Sequence, residues 1–260
     1  MARKTTYRIR YTNELAEAGT PAPRPERKER VPIDPALQAP YVEGKTILID
    51  KPLHWTSFDV VRKMRGLLQI KKIGHAGTLD PLATGLLIVC TGKFTKKINE
   101  YMAQEKTYTG SFTLGAVTPT YDLESKPEQE KDYGFVTPQL LHAITDRFTG
   151  AIAQKPPIYS AIKKEGQALY ELARRGVEVE LEPRNITVHL FEITAIELPV
   201  VHFKIVCSTG TYIRSMAHDY GAALGCGAYL SSLRRTHIGD FDVETALTME
   251  SFEKQITGEG

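Results

Sequence analysis

Short hydrophobic runs, separated by glycine, proline and charged residues, dominate this chain. Residues 46–50 and 85–90 are two nearly continuous apolar runs, which predict buried strands. Apolar and polar residues alternate over 106–114, which is typical of a strand with one exposed face. Residues 186–198 and 200–207 are rich in β-forming residues and meet at proline, so we expect a hairpin there.

Helical spacing of apolar residues marks the other elements. A helix capped by Ser57 is predicted by an apolar stripe formed by Val60, Val61, Met64, Leu67 and Leu68. Further helices are predicted at 95–103, 138–148, 168–175 and 213–225. Strands and helices mix without strict alternation, which favours an α+β fold with a mixed, largely antiparallel sheet flanked by helices.

Two segments lack such patterning. Residues 1–43 contain prolines and charges, with six of the 15 prolines between Pro21 and Pro40, so we predict an extended N-terminal arm. Residues 122–134 are polar and acidic and predict a surface loop. The folded domain is expected to span 44–255, followed by a short tail at 256–260 and by no separate C-terminal domain.

Composition narrows the class of protein. The chain has 260 residues, 42% of them hydrophobic, and a net charge of +2, so no global basic field indicates nucleic acid. The three cysteines form no Cys-x-x-Cys pair, which argues against a structural zinc site or a disulfide framework. The N-terminus does not have the form of a secretory signal, and no apolar run approaches the ~20 residues that span a bilayer. We therefore expect a cytoplasmic protein without a membrane or metal partner.

Positive charge is clustered even though the total is small. By the local pattern alone, each cluster is an ordinary solvated surface, although clusters of this kind also bind phosphates. The clusters are Arg62, Lys63, Arg65, Lys71 and Lys72; Lys93, Lys96 and Lys97; Arg174 and Arg175; and Arg234 and Arg235.

The stretch 74–85, GHAGTLDPLATG, carries the clearest candidate chemistry. It places one carboxylate, Asp80, between glycines that let the backbone approach a ligand closely. It matches neither nucleotide-binding glycine motif. By local pattern, Asp80 before Pro81 is typical of a helix cap, and His75 alone is more often structural than catalytic.

A second candidate region is 208–214, STGTYIR, where a strand ends and a helix begins. Arg214 can pair with a carboxylate there and keep it ionised, although a surface arginine is the commoner case. Tyr108, in the predicted strand 106–114, is by default a half-buried packing residue.

Taken together, these motifs resemble the TruB family of bacterial tRNA pseudouridine(55) synthases. The resemblance runs from about residue 44 to about 252 and rests on segments in the family's order. These are LIDKP at 48–52, the Asp80 loop, KTY at 106–108 and GTYIR at 210–214, with weaker support from YSAIK at 159–163 and from residues 225–235.

The resemblance implies the pseudouridine-synthase fold, with a central RNA-binding cleft, and the isomerisation of uridine 55 in the T loop of tRNA. Asp80 falls on the family's nucleophile, Tyr108 on the tyrosine that stacks on the target base, and Arg214 on the arginine that pairs with the nucleophile. The family's substrate-contacting positions are matched by His75, Tyr108, Tyr212 and Leu233, and those that support the cleft floor by Lys51 and Pro52.

The resemblance implies no cofactor, since nothing is oxidised and no group is added, and it implies the tRNA T stem-loop as partner without an obligatory protein. Three alternatives remain: the same reaction on another RNA, an RNA-binding module without turnover, and a glycosidase, which would need a second acid beside Asp80. We also expect residues 1–40, with 8 Lys or Arg against 5 Asp or Glu, to contact phosphates that a C-terminal RNA-binding domain would otherwise hold.

Overall fold

A mixed sheet of ten strands organises the computed structural model, which describes residues 32–160, 163–164, 167–168 and 181–258. Its strands are β1 (Thr46–Lys51), β2 (Ile73–Ala76), β3 (Ala83–Thr91), β4 (Lys106–Leu114), β5 (Gly150–Gln154), β8 (Arg184–Glu197), β9 (Val200–Cys207), β10 (Ala228–Ile238), β11 (Phe241–Asp242) and β12 (Leu247–Thr248). Eight of them follow the order β12-β1-β3-β10-β4-β9-β8-β5, while β2 pairs with β3 and β11 with β10. A separate two-stranded ladder joins β6 (Lys163–Lys164) and β7 (Gln167–Ala168).

Strand β10 lies at the centre of the sheet, parallel to β3 and antiparallel to β4. Its register sets Leu233 opposite Ala83 on one side and Gly110 on the other. It also sets Arg235 between Gly85 and Tyr108. A late segment of the chain thus joins the end of the Asp80 loop to the strand that carries Tyr108.

Helices cover this sheet and complete separate hydrophobic clusters. The α-helices of the described residues are α1 (Pro35–Glu43), α2 (Ser57–Leu68), α3 (Ile98–Ala103), α4 (Pro138–Asp146), α5 (Ile213–Leu224) and α6 (Met249–Thr257), with 3₁₀ turns at Gly92–Lys97 and Val243–Thr245. Phe112, Phe203 and Tyr220 pack together in the cluster that includes α4 and α5. Met64 and Phe252 belong to a second cluster, built on α2 and α6.

Most of the predicted strands and helices are confirmed. β1, β3, β4 and the β8–β9 pair lie where the apolar patterns predict them, and so do α2, α4 and α5. The cap of α2 is Thr56 and not Ser57, because Thr56 and Asp59 form a reciprocal capping box. The helix predicted at 95–103 is a 3₁₀ turn followed by α3.

The predicted arm, residues 1–43, needs a correction at its C-terminal end. Residues 35–43 form α1, which is capped by Asp34 and has proline at its first position. Tyr41 is buried and makes an edge contact with Phe252, so this helix belongs to the folded body, which begins before Gly44. Residues 1–31 lie outside the described residues, as does the predicted helix at 168–175 apart from Ala168, which belongs to β7.

Seven strands, helix α6 and one buried turn were not predicted; four of these strands, β6, β7, β11 and β12, have only two residues each. β2, β5 and β10 are short or polar and lack a clear alternating pattern. The segment predicted as a surface loop begins with Asp122, which is buried. Among the described residues, no helix is both long and apolar enough to span a membrane.

Candidate active site

The Asp80 loop joins β2 to β3 along the wall of a cleft. Gly77 and Gly85 have φ angles of +87° and +102°, a region that side-chain-bearing residues rarely adopt. A Cβ atom at Gly85 would lie 2.3 Å from the carbonyl oxygen of Arg235, so β3 and β10 can approach here only because this residue is glycine. Backbone geometry therefore fixes the loop near both of its ends.

The residues on either side of Asp80 are tied to the segment that leads into α2. The buried Leu79 donates its N–H to Ser57 Oγ at 2.8 Å. The Pro81 carbonyl accepts the N–H of His54 at 2.8 Å. With both neighbours held, the position of Asp80 is set by the backbone rather than by its own side chain.

The helix-cap interpretation of Asp80 is wrong. No helix follows Pro81; the chain makes a turn, in which the Asp80 carbonyl accepts the N–H of Ala83 at 3.1 Å, and then enters β3. The carboxylate caps no backbone N–H and instead faces an arginine.

Asp80 and Arg214 form an ion pair at the cleft. Arg214 Nε lies 2.9 Å from Asp80 Oδ2, and Nη2 donates to Asp80 Oδ1 at 3.4 Å. The Arg214 side chain is 6% exposed and that of Asp80 is 36% exposed. A buried guanidinium thus holds a carboxylate that still reaches the solvent of the cleft.

Arg214 has three further oxygen neighbours. Its Nη1 donates to the Thr120 carbonyl at 3.3 Å and its Nη2 to the Tyr159 carbonyl at 3.0 Å. The carboxylate of Asp122 lies 3.7 Å from Nε. Because these oxygens surround the guanidinium, it has one well-defined orientation toward Asp80.

Asp122 is a site residue that the sequence did not predict, and it is the second acid near Asp80. Its carboxylate accepts the Thr120 hydroxyl at 2.6 Å and the Glu124 N–H at 3.0 Å. Burial raises the pKa of Asp122, although these hydrogen bonds and Arg214 oppose that rise. Asp122 is one of several acids in a polar stretch and belongs to no motif, so the sequence gives no reason to single it out. Its position beside Arg214 is visible only in the fold.

Tyr108 is buried on β4, directly opposite Arg235. Arg235 is also buried; its Nε donates to the Leu86 carbonyl at 2.8 Å and its Nη2 to the Gly77 carbonyl at 3.1 Å. Burial raises the pKa of the Tyr108 phenol, while the neighbouring Arg235 lowers it. Arg235 thus links β10, β3 and the Asp80 loop, whereas the sequence placed it in a basic cluster and in a weakly matching family segment, without a role in the site.

Tyr212 precedes α5 and is held by Gln154. The Gln154 side chain accepts the Tyr212 N–H at 2.8 Å and donates to the Tyr212 carbonyl at 3.0 Å. Burial raises the pKa of Tyr212. Because Tyr212 lies two residues before Arg214, this pair of bonds also positions the arginine.

Five of the residues predicted from sequence meet in one cleft of about 540 Å³: Asp80, Tyr108, Tyr212, Arg214 and Leu233. This volume is within the usual range for a small-molecule or nucleotide pocket. The wall also includes Thr56, Lys106 and Arg235. The cleft is therefore assembled from β4, β10, the Asp80 loop and the start of α5.

The other predicted residues, Lys51, Pro52 and His75, are not among those that line the cleft. Lys51 is fully buried, and its Nζ donates to the carbonyls of Pro52 at 2.9 Å, Trp55 at 2.6 Å and Pro81 at 3.5 Å. Burial lowers the pKa of Lys51 to about 8. The lysine connects the end of β1 to the residue after Asp80, a position suited to cleft support.

His75 lies on β2, opposite Val89, and is not among the residues that line the cleft. It is half-buried, and burial, followed by the charge of Arg235, lowers its pKa. The imidazole is therefore neutral at pH 7. Within the described part of the chain, no group of three or more His, Cys, Asp or Glu side chains is arranged to hold a metal ion.

Comparison with known proteins identifies related sequences over most of the chain. The family model of the TruB pseudouridylate synthase N-terminal domain matches residues 65–213, and that of the tRNA pseudouridylate synthase B C-terminal domain matches 214–259. tRNA pseudouridine synthase B of Flavobacterium johnsoniae is 54% identical over 223 residues, which cover 83% of this chain and 97% of that protein. The Parabacteroides distasonis protein of that name is 44% identical, covering 82% of this chain and 93% of its own.

Solved structures share the architecture. A chain of a Cbf5-Nop10-Gar1 complex superposes with a TM-score of 0.66 and 29% sequence identity, over 87% of this chain. A chain of an H/ACA RNP bound to a substrate RNA containing 2'-deoxyuridine gives a TM-score of 0.63 at 28% identity, over 84% of this chain. The present chain spans 61% and 55% of those two chains, respectively.

Proposed function

Because this chain belongs to the TruB family and is a tRNA pseudouridine synthase, we propose that it isomerises uridine 55 in the T loop of tRNA, with Asp80 as the nucleophile acting on a flipped-out uridine. The observation that carries the proposal is the ion pair of Asp80 with the buried Arg214 at the cleft wall. A carboxylate used as a nucleophile must be oriented and open to substrate; the pair with Arg214 orients Asp80, and 36% of the Asp80 side chain remains exposed.

The reaction makes specific demands on such a site. The bond from ribose to uracil N1 breaks, the base turns, carbon 5 bonds to the ribose, the carbon-5 proton is lost and N1 gains a proton. Atoms and electrons balance without an external group, so the proposed reaction uses no cofactor. Asp80 can act by attack on the ribose, by attack on uracil carbon 6 or by assisting an elimination, and its position at the wall is compatible with each.

Tyr108 is proposed to stack on the uracil ring. Its raised pKa means that the phenol is protonated at pH 7 in the free protein, which suits stacking but not proton abstraction. To accept the carbon-5 proton, Tyr108 must first lose its own proton, and the adjacent Arg235 would stabilise the phenolate. We propose this second role only for the substrate-bound state.

The target uridine must leave the RNA stack to reach Asp80, at a cost of about a few kcal/mol that other contacts offset. We propose Tyr212 and Leu233, which line the cleft, as contacts for the flipped nucleotide. For His75, which lies on β2 outside the cleft lining, we propose contact with the substrate loop rather than with the flipped base. We propose that Lys51 and Pro52 support the Asp80 loop, because Lys51 Nζ donates to the carbonyls of both Pro52 and Pro81.

The T stem-loop of tRNA is the proposed partner, and the proposed place of action is the cytoplasm. Nop10 and Gar1 accompany Cbf5 in the related complex, and we assign no such partners to this chain. The tRNA named in the relatives supports the substrate class, while the Asp80 site supports the chemistry.

The direct test incubates the purified protein with an unmodified tRNA transcript and maps pseudouridine by position. We expect modification at uridine 55 at sub-stoichiometric protein. Asp80→Asn should abolish it while tRNA binding remains, because the amide keeps the shape but not the charge. Modification at another position would contradict the proposed site, and near-normal activity of the variant would remove Asp80 from the mechanism.

A further inference from the structure

A single turn, residues 118–122, supplies two of the groups that surround Arg214. The Thr120 carbonyl and the Asp122 carboxylate both face the guanidinium. Inside the turn, the Tyr121 N–H donates to the Thr118 carbonyl at 3.1 Å, and the Thr120 hydroxyl donates to Asp122 at 2.6 Å. The orientation of Arg214 therefore depends on where this turn lies.

Tyr121, between those two groups, has an unusual backbone. Its φ is +65°, in the left-handed region, which costs a residue other than glycine about 1–2 kcal/mol. Its carbonyl accepts the N–H of Leu230 at 2.9 Å, which ties the turn to β10. A residue in a costly conformation persists when its surroundings over-determine it.

The Tyr121 side chain stacks on His218. The two rings lie 4.0 Å apart between centroids with an interplanar angle of 20°. Stacked pairs of this kind contribute roughly 0.5–1.5 kcal/mol beyond the area they bury, which is comparable to the backbone cost. The free energy of stacking is thus large enough to keep the turn in its left-handed backbone conformation.

His218 lies four residues after Arg214 on α5, so the two side chains project from one face of the helix. That face contacts the turn twice, through Arg214 with its polar groups and through His218 with its aromatic ring. Burial lowers the pKa of His218, so a neutral imidazole forms the stack at pH 7.

We propose that Tyr121 and His218 are a pair of positioning residues that fix turn 118–122 against Arg214 and so orient Asp80. The pair touches no reacting atom; it acts through the Thr120 carbonyl and the Asp122 carboxylate. This inference rests on the proposed role of Asp80 as the nucleophile.

The test measures kcat and KM for the conversion of a tRNA transcript by Tyr121→Ala, His218→Ala, the double variant and Tyr121→Phe. For each alanine variant we expect a fall in kcat of about tenfold, with KM within about twofold, because binding is kept and alignment is lost. The double variant should be no slower than the slower single variant, as expected for residues that act as one unit. Tyr121→Phe keeps the ring and should keep the wild-type kcat.

Two matched controls remove comparable side chains elsewhere. Phe135→Ala deletes an exposed aromatic ring before α4, and His142→Ala deletes an exposed histidine on α4. Both should retain the wild-type kcat. Thermal unfolding of every variant sets an assay temperature at which all remain folded.

Several outcomes would overturn the proposed positioning role of Tyr121 and His218. The first is an unchanged kcat in both alanine variants, even with a lower Tm. The second is a fall in kcat of the double variant that equals the product of the two single falls. The third is a Tyr121→Phe variant as slow as Tyr121→Ala. Wild type and Asp80→Asn are assayed alongside. An inactive wild type or an active Asp80→Asn would refute the proposed function itself. If the wild type is active and Asp80→Asn is inactive, any of the outcomes above refutes only the positioning role of Tyr121 and His218.

Discussion

The two sides of the cleft each contain a buried arginine, and the two arginines are used differently. Arg214, from α5, faces two carboxylates, Asp80 and Asp122. Arg235, from β10, donates instead to the backbone carbonyls of Leu86 and Gly77. One arginine compensates side-chain charge, and the other ties segments of main chain together.

This difference separates the orientation of Asp80 from the construction of the cleft wall. Around Arg214, one positive charge is shared by two negative ones, so its position responds to any change in either acid. Around Arg235, neutral carbonyls fix the distance between β10, β3 and the Asp80 loop. We therefore expect substitutions on the helix side to change the rate first, and substitutions on the sheet side to change stability first.

The largest expected effect is that of Arg214→Ala on the helix side. Loss of the guanidinium leaves Asp80 unoriented and Asp122 unpaired, and we expect kcat to fall by about 10³-fold. Single-turnover release of the carbon-5 hydrogen from labelled tRNA measures it. Arg234→Gln is the control, because Arg234 pairs with Asp50 in a partly exposed ion pair and does not line the cleft. A rate for Arg214→Ala within tenfold of the control would refute the role.

The sheet side is tested by Gly85→Ala. The new methyl group would overlap the Arg235 backbone and φ is positive, so we expect a loss of about 3 kcal/mol or more in unfolding free energy, or ~6–12 °C in Tm. Gly66→Ala in α2 is the matched control: its Cβ meets nothing within 4 Å, and it should stabilise by about 0.5–1 kcal/mol. Equal Tm values for the two variants would show that the close approach of β3 and β10 has no energetic role.

Asp122→Asn tests how far the second carboxylate on the helix side of the cleft contributes to the rate. The amide can still accept the Thr120 hydroxyl and the Glu124 N–H, but it removes the second negative charge facing Arg214. We expect kcat to fall by about tenfold, equal to roughly 1.4 kcal/mol, with KM for tRNA nearly unchanged. A wild-type kcat measured under saturating tRNA would mean that the charge of Asp122 is not needed to orient Arg214.

The smallest effect is expected at Asp219, also on α5 but outside the cleft wall. Burial raises the pKa of this carboxyl from 3.8 to about 6, although Lys155 opposes the rise. Between pH ~4 and pH ~6 the folded state keeps a proton on Asp219 that the unfolded state has lost. The stabilising contribution of the protonated carboxyl is therefore present below pH ~4 and is lost as pH rises through ~6. Asp219→Asn should therefore raise Tm by about 1–3 °C at pH 7 and leave it unchanged at pH 4, since solvent screens part of the effect. A pH-independent difference in Tm would contradict this assignment.

The regular elements could be predicted because their side chains alternate or repeat according to the local backbone. The apolar stripe through Val60 and Met64 determined α2, and alternation around Phe112 determined β4. Strand β10 was missed because its Ser231, Arg234 and Thr236 give no apolar alternation; central pairing on both edges overrides its weak propensity.

The site was predictable only in part, for a related reason. Asp80, Tyr108 and Arg214 sit in recognisable motifs, and the structure brings them together in the cleft. Asp122 and Gln154 each act on one distant residue, Arg214 and Tyr212, which lie 92 and 58 positions away in sequence, and no local pattern encodes such contacts. Whether these residues carry the proposed roles is what the substitutions above test.

The central place of β10 has a consequence for biosynthesis. While the ribosome is still extending the chain, β3 and β4 are already made but have no strand to join them, because residues 228–238 are synthesised after both. A nascent polypeptide stopped before Ala228 already holds Asp80, Tyr108 and Arg214 in its sequence, yet lacks the strand that unites their supports. The ordered pairing of β3 with β4 through β10 can therefore form only after residue 238 has been synthesised.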